Sequence, residues 1–102
     1  MSNIQKRVEI NELLRIYGAL LTERQREILT HRYTDDLSFG EIAAEFDITR
    51  QAVLNFENKA IRSLQKYEKR LGVYERKRKV KNLLDKFFVD EHARLALYEV
   101  FG

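Results

Sequence analysis

Three side chains near the middle of the chain have the chemistry with which proteins read nucleic acids. Arg50, Gln51 and Asn55 fall within the stretch LSFGEIAAEFDITRQAVLNF, residues 37–56. Arginine can bind guanine edges or phosphate, and glutamine and asparagine match the donor and acceptor edge of adenine. The amino end of a helix also favours phosphate. Because the spacing places all three near the beginning of one helix, the stretch predicts a nucleic-acid contact.

Two short helices joined by a tight turn must hold these side chains. Apolar residues at helical spacing provide their shared core: Ile42, Ala43, Phe46, Ile48, Val53 and Phe56. Asp47 stands in the turn, where many such motifs have glycine, and aspartate tolerates the left-handed backbone conformation better than most residues. The pattern predicts a helix-turn-helix. The alternative is a plain helical bundle with a polar outer face.

The predicted nucleic-acid site follows the outer side of the second helix of this motif. Thr49 is expected to cap that helix with its hydroxyl, and an exposed Leu54 could meet a thymine methyl group or a protein. The full set of predicted site residues is Thr49, Arg50, Gln51, Leu54, Asn55, Lys59 and Arg62. Since phosphate contacts dominate affinity for DNA, a helix with Arg50 as its one amino-terminal cation needs help from the basic residues that follow.

Charge is distributed unevenly along the chain. Residues 58–81 contain ten Lys and Arg and two Glu, a balance of +8, whereas the remainder has a balance of −5, which gives the net +3. A basic block beside an acidic remainder indicates an anionic partner, and a solvated, lysine-rich helix surface is the alternative.

Composition limits the other chemistry open to the chain. It has 102 residues, 44% hydrophobic and 34% charged, which suits one domain with an appended tail. Without cysteine there is no disulfide or thiolate metal site, and the paired Asp35 and Asp36 should face apart into water. His31 is expected to cap a helix end. We therefore expect no enzyme activity, no bound metal and no cofactor.

The apolar runs are short. A membrane-spanning helix needs roughly 20 apolar residues, and the first residues, MSNIQKRVEI, lack the apolar segment of a signal peptide. We expect a cytoplasmic protein without membrane insertion.

The periodicity, together with the absence of proline, predicts an all-α fold. A first helix is expected over most of Ile4 to Leu20. Thr22 with Gln25, and Ser38 with Glu41, form capping boxes that begin the second and third helices. Tyr33 is placed on the second helix, which Asp35 and Asp36 end.

The fourth helix is expected to be long. Its apolar residues recur at coiled-coil spacing: Val53, Phe56, Ala60, Leu64, Tyr67 and Leu71. Gly72 is the natural end of this helix. We expect a helix-turn-helix domain over residues 1–72 and a basic helical tail over residues 73–102, used for dimerisation or partner contact.

The tail begins with a basic stretch, residues 76–79, and continues into an apolar stripe. Its members are Val80, Leu83, Leu84, Phe87 and Phe88, and Asp90 is expected to cap a last short helix. The stripe of the tail and the carboxyl half of the long helix both need cover. The tail folded back on the long helix would provide it, but the limited surface of a small domain favours a homodimer.

The segment LLTERQREILTHRYTDDLSFGEIAAEFDITRQAVLNFENKAIRSLQ resembles region 4 of bacterial sigma factors. Four blocks, YGALLTERQREILTHRY, DLSFGEIAAEF, TRQAVLNF and LQKYEKRLGV, are similar to YlxM-type proteins of Gram-positive bacteria and mollicutes. This resemblance implies a sigma region 4-like bundle with a long recognition helix and a non-enzymatic role. Genes for such proteins lie beside those for signal recognition particle proteins.

The resemblance therefore implies a DNA-binding regulator or accessory of the signal recognition particle pathway. Its implied alternative is a protein- or RNA-interaction module of that pathway, without sequence-specific DNA binding. The implied partners are DNA or the RNA of the particle, and the particle's proteins. One departure matters: sigma recognition helices carry several outward arginines, whereas this chain has Ala52, Leu54 and Asn55.

Overall fold

The computed structural model describes residues 3–87 and 90–101, and these residues contain helices and turns but no strand. The helices are α1 (Asn3–Tyr17), α2 (Glu23–Leu29), α3 (Phe39–Phe46), α4 (Arg50–Leu71), α5 (Val73–Phe87) and α6 (Glu91–Phe101). A 3₁₀ turn, Gly18–Leu20, follows α1, and a π-helical turn, Thr30–Thr34, follows α2. The predicted all-α fold is confirmed. Phe88, which the sequence placed in the tail stripe, lies outside the described residues.

The described helices form two compact units, divided between Leu71 and Gly72. The first unit contains α1 to α4, and the second contains α5 and α6. Gly72 has φ 62°, the left-handed conformation that glycine adopts without strain. It ends α4, as the sequence predicted.

Both predicted capping boxes are present. The Thr22 hydroxyl accepts a hydrogen bond from the Gln25 amide at 3.2 Å, and the Gln25 side chain accepts one from the Thr22 amide at 3.2 Å. Ser38 and Glu41 make the same reciprocal pair, with both distances at 3.1 Å. These contacts satisfy amide groups that have no partner inside the helix and so fix where α2 and α3 begin.

The helix α2 ends at Leu29, whereas the sequence placed Tyr33 on this helix as well. The chain widens into the π-helical turn, which carries Tyr33, and α1 covers the open carbonyls of this turn. Arg7 Nη1 donates to the carbonyls of Arg32 and Tyr33 at 3.4 and 3.3 Å, and Asn11 Nδ2 donates to the Tyr33 carbonyl at 2.8 Å. Side chains of α1 thus satisfy the backbone at the end of another helix.

The helix-turn-helix core forms where α2, α3 and α4 meet. Its buried members are Ile28, Ile42, Ala43 and Val53, and the side chains packed against them are Leu37, Phe39, Phe46, Ile48 and Phe56. Asp47 has φ 53° and ψ 49°, and the Ile48 amide donates to the Ala43 carbonyl at 3.0 Å. The predicted left-handed turn at Asp47 is confirmed.

The carboxyl half of α4 packs against α1 and the turn after it. Leu64 is fully buried, the Tyr17 hydroxyl donates to Glu68 at 2.7 Å, and the Tyr67 hydroxyl donates to the Leu20 carbonyl at 3.3 Å. The expectation that this half of α4 needs cover from the tail or a second copy is therefore wrong for Leu64, because the sequence pattern did not show where α1 would pack. Leu71 remains half-exposed.

In the second unit α5 begins at Val73 and includes the basic stretch 76–79. Asp90 caps α6 as predicted, accepting a hydrogen bond from the His92 amide at 2.9 Å. Within the unit, Asp85 of α5 accepts a hydrogen bond from Tyr98 and lies 3.6 Å from Arg94 of α6. Of the tail stripe, Leu84 is buried, whereas Leu83 and Phe87 are exposed.

Candidate nucleic-acid interface

The first turn of α4 is exposed to solvent, and its amino end is capped by Thr49. The Thr49 hydroxyl accepts a hydrogen bond from the Ala52 amide at 3.0 Å, which confirms the predicted cap. All seven residues of the predicted site are exposed. Exposure alone does not separate a binding surface from a solvated one, so the arrangement of the side chains matters.

Gln51 and Asn55 form a pair on the surface of α4. Gln51 Nε2 donates to Asn55 Oδ1 at 3.0 Å, one helical turn along the axis. The Gln51 oxygen and the Asn55 amide group remain available for other partners. The structure brings these two predicted base-reading side chains together.

Arg50 occupies a different place from Gln51 and Asn55. Successive residues of an α-helix lie about 100° apart around its axis. Arg50 points towards the first turn of α3, where a Cβ atom at Gly40 would lie 2.9 Å from Arg50 Nη2. The sequence grouped Arg50 with the amide pair, and the structure separates them.

A row of cations continues the face that begins with the amide pair. Lys59, Arg62, Lys66 and Lys69 follow Asn55 at intervals of three or four residues, and all four are exposed. Such intervals place side chains on one face of a helix. At 1.5 Å per residue, the row from Lys59 to Lys69 is about 15 Å long. Together with Gln51 and Asn55 we call it the outer face of α4.

The acidic residues of α4 do not share this face. The helix contains two, Glu57 and Glu68. Glu57 is buried, with 4% of its surface exposed, and Glu68 accepts the hydrogen bond from Tyr17 on α1. Because both carboxylates are directed towards the interior of the unit, the outer face carries positive charge without an acidic residue among its cations.

Glu57 is a residue that the sequence analysis missed. Its carboxylate lies 3.9 Å from Arg32 Nε, and Arg32 Nη1 donates to the Leu37 carbonyl at 3.1 Å. The Arg32 guanidinium also lies 4.2 Å from the centre of the Phe39 ring. Burial raises the pKa of the Tyr33 hydroxyl, and the hydrogen bond to Glu57 raises this pKa further. This buried cluster ties α4 to the segment before α3.

A pattern in the sequence could have revealed Glu57. It follows Val53 by four residues and precedes Ala60 by three, so it shares the buried side of α4 with these apolar residues. A carboxylate at such a position needs a cation or a hydrogen-bond donor inside the domain. Arg32, which lies in the turn between α2 and α3, could not be identified as that partner from spacing.

His31 does not cap the end of α2 as expected. Its Nδ1 lies 3.1 Å from Asp35 and its Nε2 lies 3.4 Å from Glu45, while its ring stacks on Phe46 at 5.5 Å. Asp36 instead pairs with Arg7 at 2.9 Å. The two adjacent aspartates therefore face apart, as predicted.

Two other kinds of site, a metal centre and a membrane span, concern the described ranges 3–87 and 90–101. In these ranges no three or more acidic or imidazole side chains are grouped so that they could hold a metal ion. None of the helices in the same ranges combines the length and the apolar composition needed to cross a bilayer.

Comparison with known proteins identifies similar sequences over most of the chain. Residues 4–99 match the family model UPF0122, described as "Putative helix-turn-helix protein, YlxM / p13 like". A UPF0122 protein of Bacillus cereus is 37% identical over 101 residues, covering 95% of this chain and 92% of that protein.

Two shorter matches are more similar in sequence. A UPF0122 protein of Lacticaseibacillus casei is 44% identical over 71 residues, 70% of this chain and 63% of that protein. One of Pediococcus pentosaceus is 46% identical over 68 residues, 67% of this chain and 60% of that protein. The chain thus matches less than two thirds of the length of these two relatives.

Proposed function

The chain belongs to the UPF0122 family of YlxM/p13-like helix-turn-helix proteins, and we propose that it binds the backbone of a nucleic-acid double helix through the outer face of α4. The observation that carries this proposal is the row of four cations on that face, with both carboxylates of the helix directed inward. The proposed role is that of a non-enzymatic regulator or accessory, with DNA as the first ligand to test.

The arrangement suits a polyanion better than a small ligand. A DNA double helix carries one phosphate charge for about every 1.7 Å of its axis, so a row about 15 Å long meets several phosphates at once. Each phosphate that a lysine or arginine neutralises releases counterions, and affinity then falls with salt concentration. Lys59 and Arg62, both in the predicted site, belong to this row.

The amide pair is proposed to supply what sequence preference the protein has. Gln51 and Asn55 lie at the amino end of the same face, and their free oxygen and amide group suit the edge of adenine. Thr49 and the half-exposed Leu54 border this pair. Because the amino end of this face has one amide pair and no outward arginine beside it, we expect the protein to discriminate weakly between base sequences.

The proposed setting is the signal recognition particle pathway in the cytoplasm, which the likeness to YlxM-type proteins implies. The RNA of the particle is then the alternative ligand of the same face. Phosphates of an RNA double helix are equally available to the cations, whereas side chains cannot read its deep, narrow major groove. Binding of RNA would therefore use the cations of α4 without the amide pair.

Fluorescence anisotropy over a range of salt concentrations tests the proposal. Labelled DNA duplexes and RNA hairpins of mixed sequence are titrated with the wild type and with Lys59→Ala/Arg62→Ala. The slope of log K against log salt should become less negative by about 1.8 for the variant on DNA, at about 0.9 for each lost phosphate contact.

The matched control removes two cations from α1, Lys6→Ala/Arg15→Ala, which changes the net charge equally. Its slope should equal that of the wild type. If the control loses as much as the α4 variant, the effect is one of net charge, and the outer face of α4 is not the site. If the wild type binds neither probe, the proposed function is wrong.

Contact with a protein is a second candidate function, and the second unit favours it. Leu83 and Phe87 are 54% and 66% exposed on α5, beside the basic stretch 76–79. Proteins of the signal recognition particle are the proposed partners. Purified particle proteins should bind the wild type and lose binding to Leu83→Ser/Phe87→Ser; equal binding to both would exclude this surface.

A further inference from the structure

We propose that Gly40 is a positioning residue, which lets the Arg50 guanidinium lie against α3 so that it contacts a backbone phosphate of the bound nucleic acid. The inference rests on the proposed function, and it assigns Arg50 a task different from that of the outer face of α4. The observation behind it is the close approach of Arg50 to the backbone of α3.

The backbone conformation does not explain why position 40 is glycine. Gly40 is the second residue of α3, and among the described glycines the left-handed conformation occurs at Gly72. Glycine lowers helix stability relative to alanine because it loses more conformational freedom on folding. A helical glycine near the start of an eight-residue helix therefore calls for a steric reason.

The steric reason is the Arg50 side chain. A Cβ atom at position 40 would lie 2.9 Å from Arg50 Nη2, 3.2 Å from Nε and 3.3 Å from Cζ. At the first of these distances one of the two groups must move, and the group that can move is the end of the flexible Arg50 side chain. The guanidinium thus occupies the space that any side chain at position 40 would take.

The helical turn beneath the Arg50 guanidinium is fixed by a capping box, and the hydrogen-bond donors of the guanidinium have no partner among the described residues. The first turn of α3 is held by the Ser38 and Glu41 capping box, which engages the Glu41 carboxylate with the Ser38 amide at 3.1 Å. The Arg50 side chain has no hydrogen bond or ion pair with the described residues, and it is exposed. A guanidinium without partners in the free protein can bind an anion without first breaking another contact.

The position of Arg50 favours phosphate over a base edge. In helix-turn-helix proteins the second helix enters the major groove, whereas the first helix crosses the sugar-phosphate backbone. The guanidinium lies on the first helix of the motif, α3, and away from the amide pair of α4. An arginine there forms charge-assisted hydrogen bonds with phosphate oxygens. It should therefore raise affinity for every base sequence alike.

A double-mutant cycle with Gly40→Ala and Arg50→Ala tests the positioning. On DNA duplexes of two unrelated sequences, Arg50→Ala should lower affinity by about tenfold, the loss of one charge-assisted contact. Gly40→Ala should lower affinity by a smaller factor on both, since the methyl group displaces the guanidinium. Once Arg50 is alanine, adding Gly40→Ala should change affinity no further.

Gly18→Ala serves as the matched control for replacing a glycine. A Cβ atom at Gly18 would meet the nearest side chain, Leu14, at an ordinary 3.4 Å, so this variant should bind as the wild type does. An effect of Gly40→Ala that persists in the Arg50→Ala background would be a general disturbance of α3 and would overturn the inference. Unequal losses of the Arg50→Ala variant on the two duplexes would make Arg50 a base contact instead.

A second measurement examines the free protein. The ¹⁵Nε heteronuclear NOE of Arg50 should be high in the wild type and should fall in Gly40→Ala, while thermal melting shows the variant folded. An unchanged NOE overturns the positioning role whatever the binding data show. If the wild type binds no nucleic acid, the proposed function and the phosphate contact both fail. Binding by the wild type without coupling between positions 40 and 50 overturns this inference alone.

Discussion

Two aspartates of the first unit adopt the left-handed backbone conformation, and they differ in what their carboxylates do. Asp47 has φ 53° and Asp36 has φ 59°. The Asp36 carboxylate pairs with Arg7 at 2.9 Å, whereas that of Asp47 has no hydrogen bond or ion pair within the described residues. Comparing Asp36 with Asp47 therefore separates the effect of backbone strain on stability from the effect of side-chain contacts.

We expect Asp47→Gly to raise the free energy of unfolding by up to about 1 kcal/mol, because glycine removes the cost of the left-handed conformation. Asp36→Gly should gain less, since it also loses an exposed ion pair worth about 0.2–1 kcal/mol. Urea denaturation measures both values. Asp47→Ala is the control and should be destabilised relative to Asp47→Gly; a greater gain from Asp36→Gly would contradict this account.

Tyr33 predicts how stability responds to alkaline pH. Its pKa is raised above the ordinary value of 10.0, first by burial and then by the hydrogen bond to Glu57. The folded state thus favours the neutral phenol, so the contribution to stability is complete below pH 10 and is lost as the pH rises beyond it. Denaturation on either side of pH 10 should show this loss, and Tyr33→Phe should show less of it. Equal losses in both proteins would rule out Tyr33 as the cause.

At the scale of the helices, local chemistry predicted the beginnings and ends of several elements. Thr22, Ser38, Thr49 and Asp90 all cap the helices that the sequence assigned to them. A cap depends on a residue and the few amides that follow it, so spacing is sufficient to find it. The left-handed turn at Asp47 follows from equally local geometry.

Contacts between distant segments could not be predicted in this way. The π-helical turn is held by Arg7 and Asn11, which lie more than twenty residues earlier in the chain. Likewise, sequence spacing placed Arg50 with Gln51 and Asn55, but the packing of α3 beside α4 decides where its guanidinium lies. Periodicity shows which face of a helix is buried, but it does not show which other element packs against that face.

The packing of α1 on the carboxyl half of α4 predicts how much single hydroxyl groups contribute to the stability of the first unit. Tyr17 is 1% exposed and donates to Glu68 at 2.7 Å, whereas Tyr67 donates to the Leu20 carbonyl at 3.3 Å from a more exposed position. Tyr17→Phe should lower the free energy of unfolding by about 1.5–3 kcal/mol, the range for a hydrogen bond to a charged group. Tyr67→Phe is the matched control and should cost less. Equal losses would mean that the Tyr17 hydroxyl does not anchor α4.

At the scale of the whole molecule, the two units differ in how well they bury their apolar residues. The first unit has a core built from four helices, whereas Leu84 is the one buried hydrophobic side chain among those described in the second unit. In that unit Leu83, Phe87, Leu95 and Val100 are exposed. A segment of about 30 residues with so small a core needs further cover to be stable.

In the absence of a particle protein, we expect a second copy of the chain to provide this cover through Leu83 and Phe87, in a symmetric dimer. Sedimentation equilibrium at micromolar concentration should show a dimer for the wild type and a monomer for Leu83→Asp/Phe87→Asp. Leu20→Asp, at an exposed leucine of the first unit, is the matched control and should remain dimeric. A monomeric wild type would contradict the dimer, and a dimer disrupted by Leu20→Asp alone would place the interface on the first unit. Because a dimer carries two copies of the outer face of α4, the monomeric variant should also bind DNA more weakly.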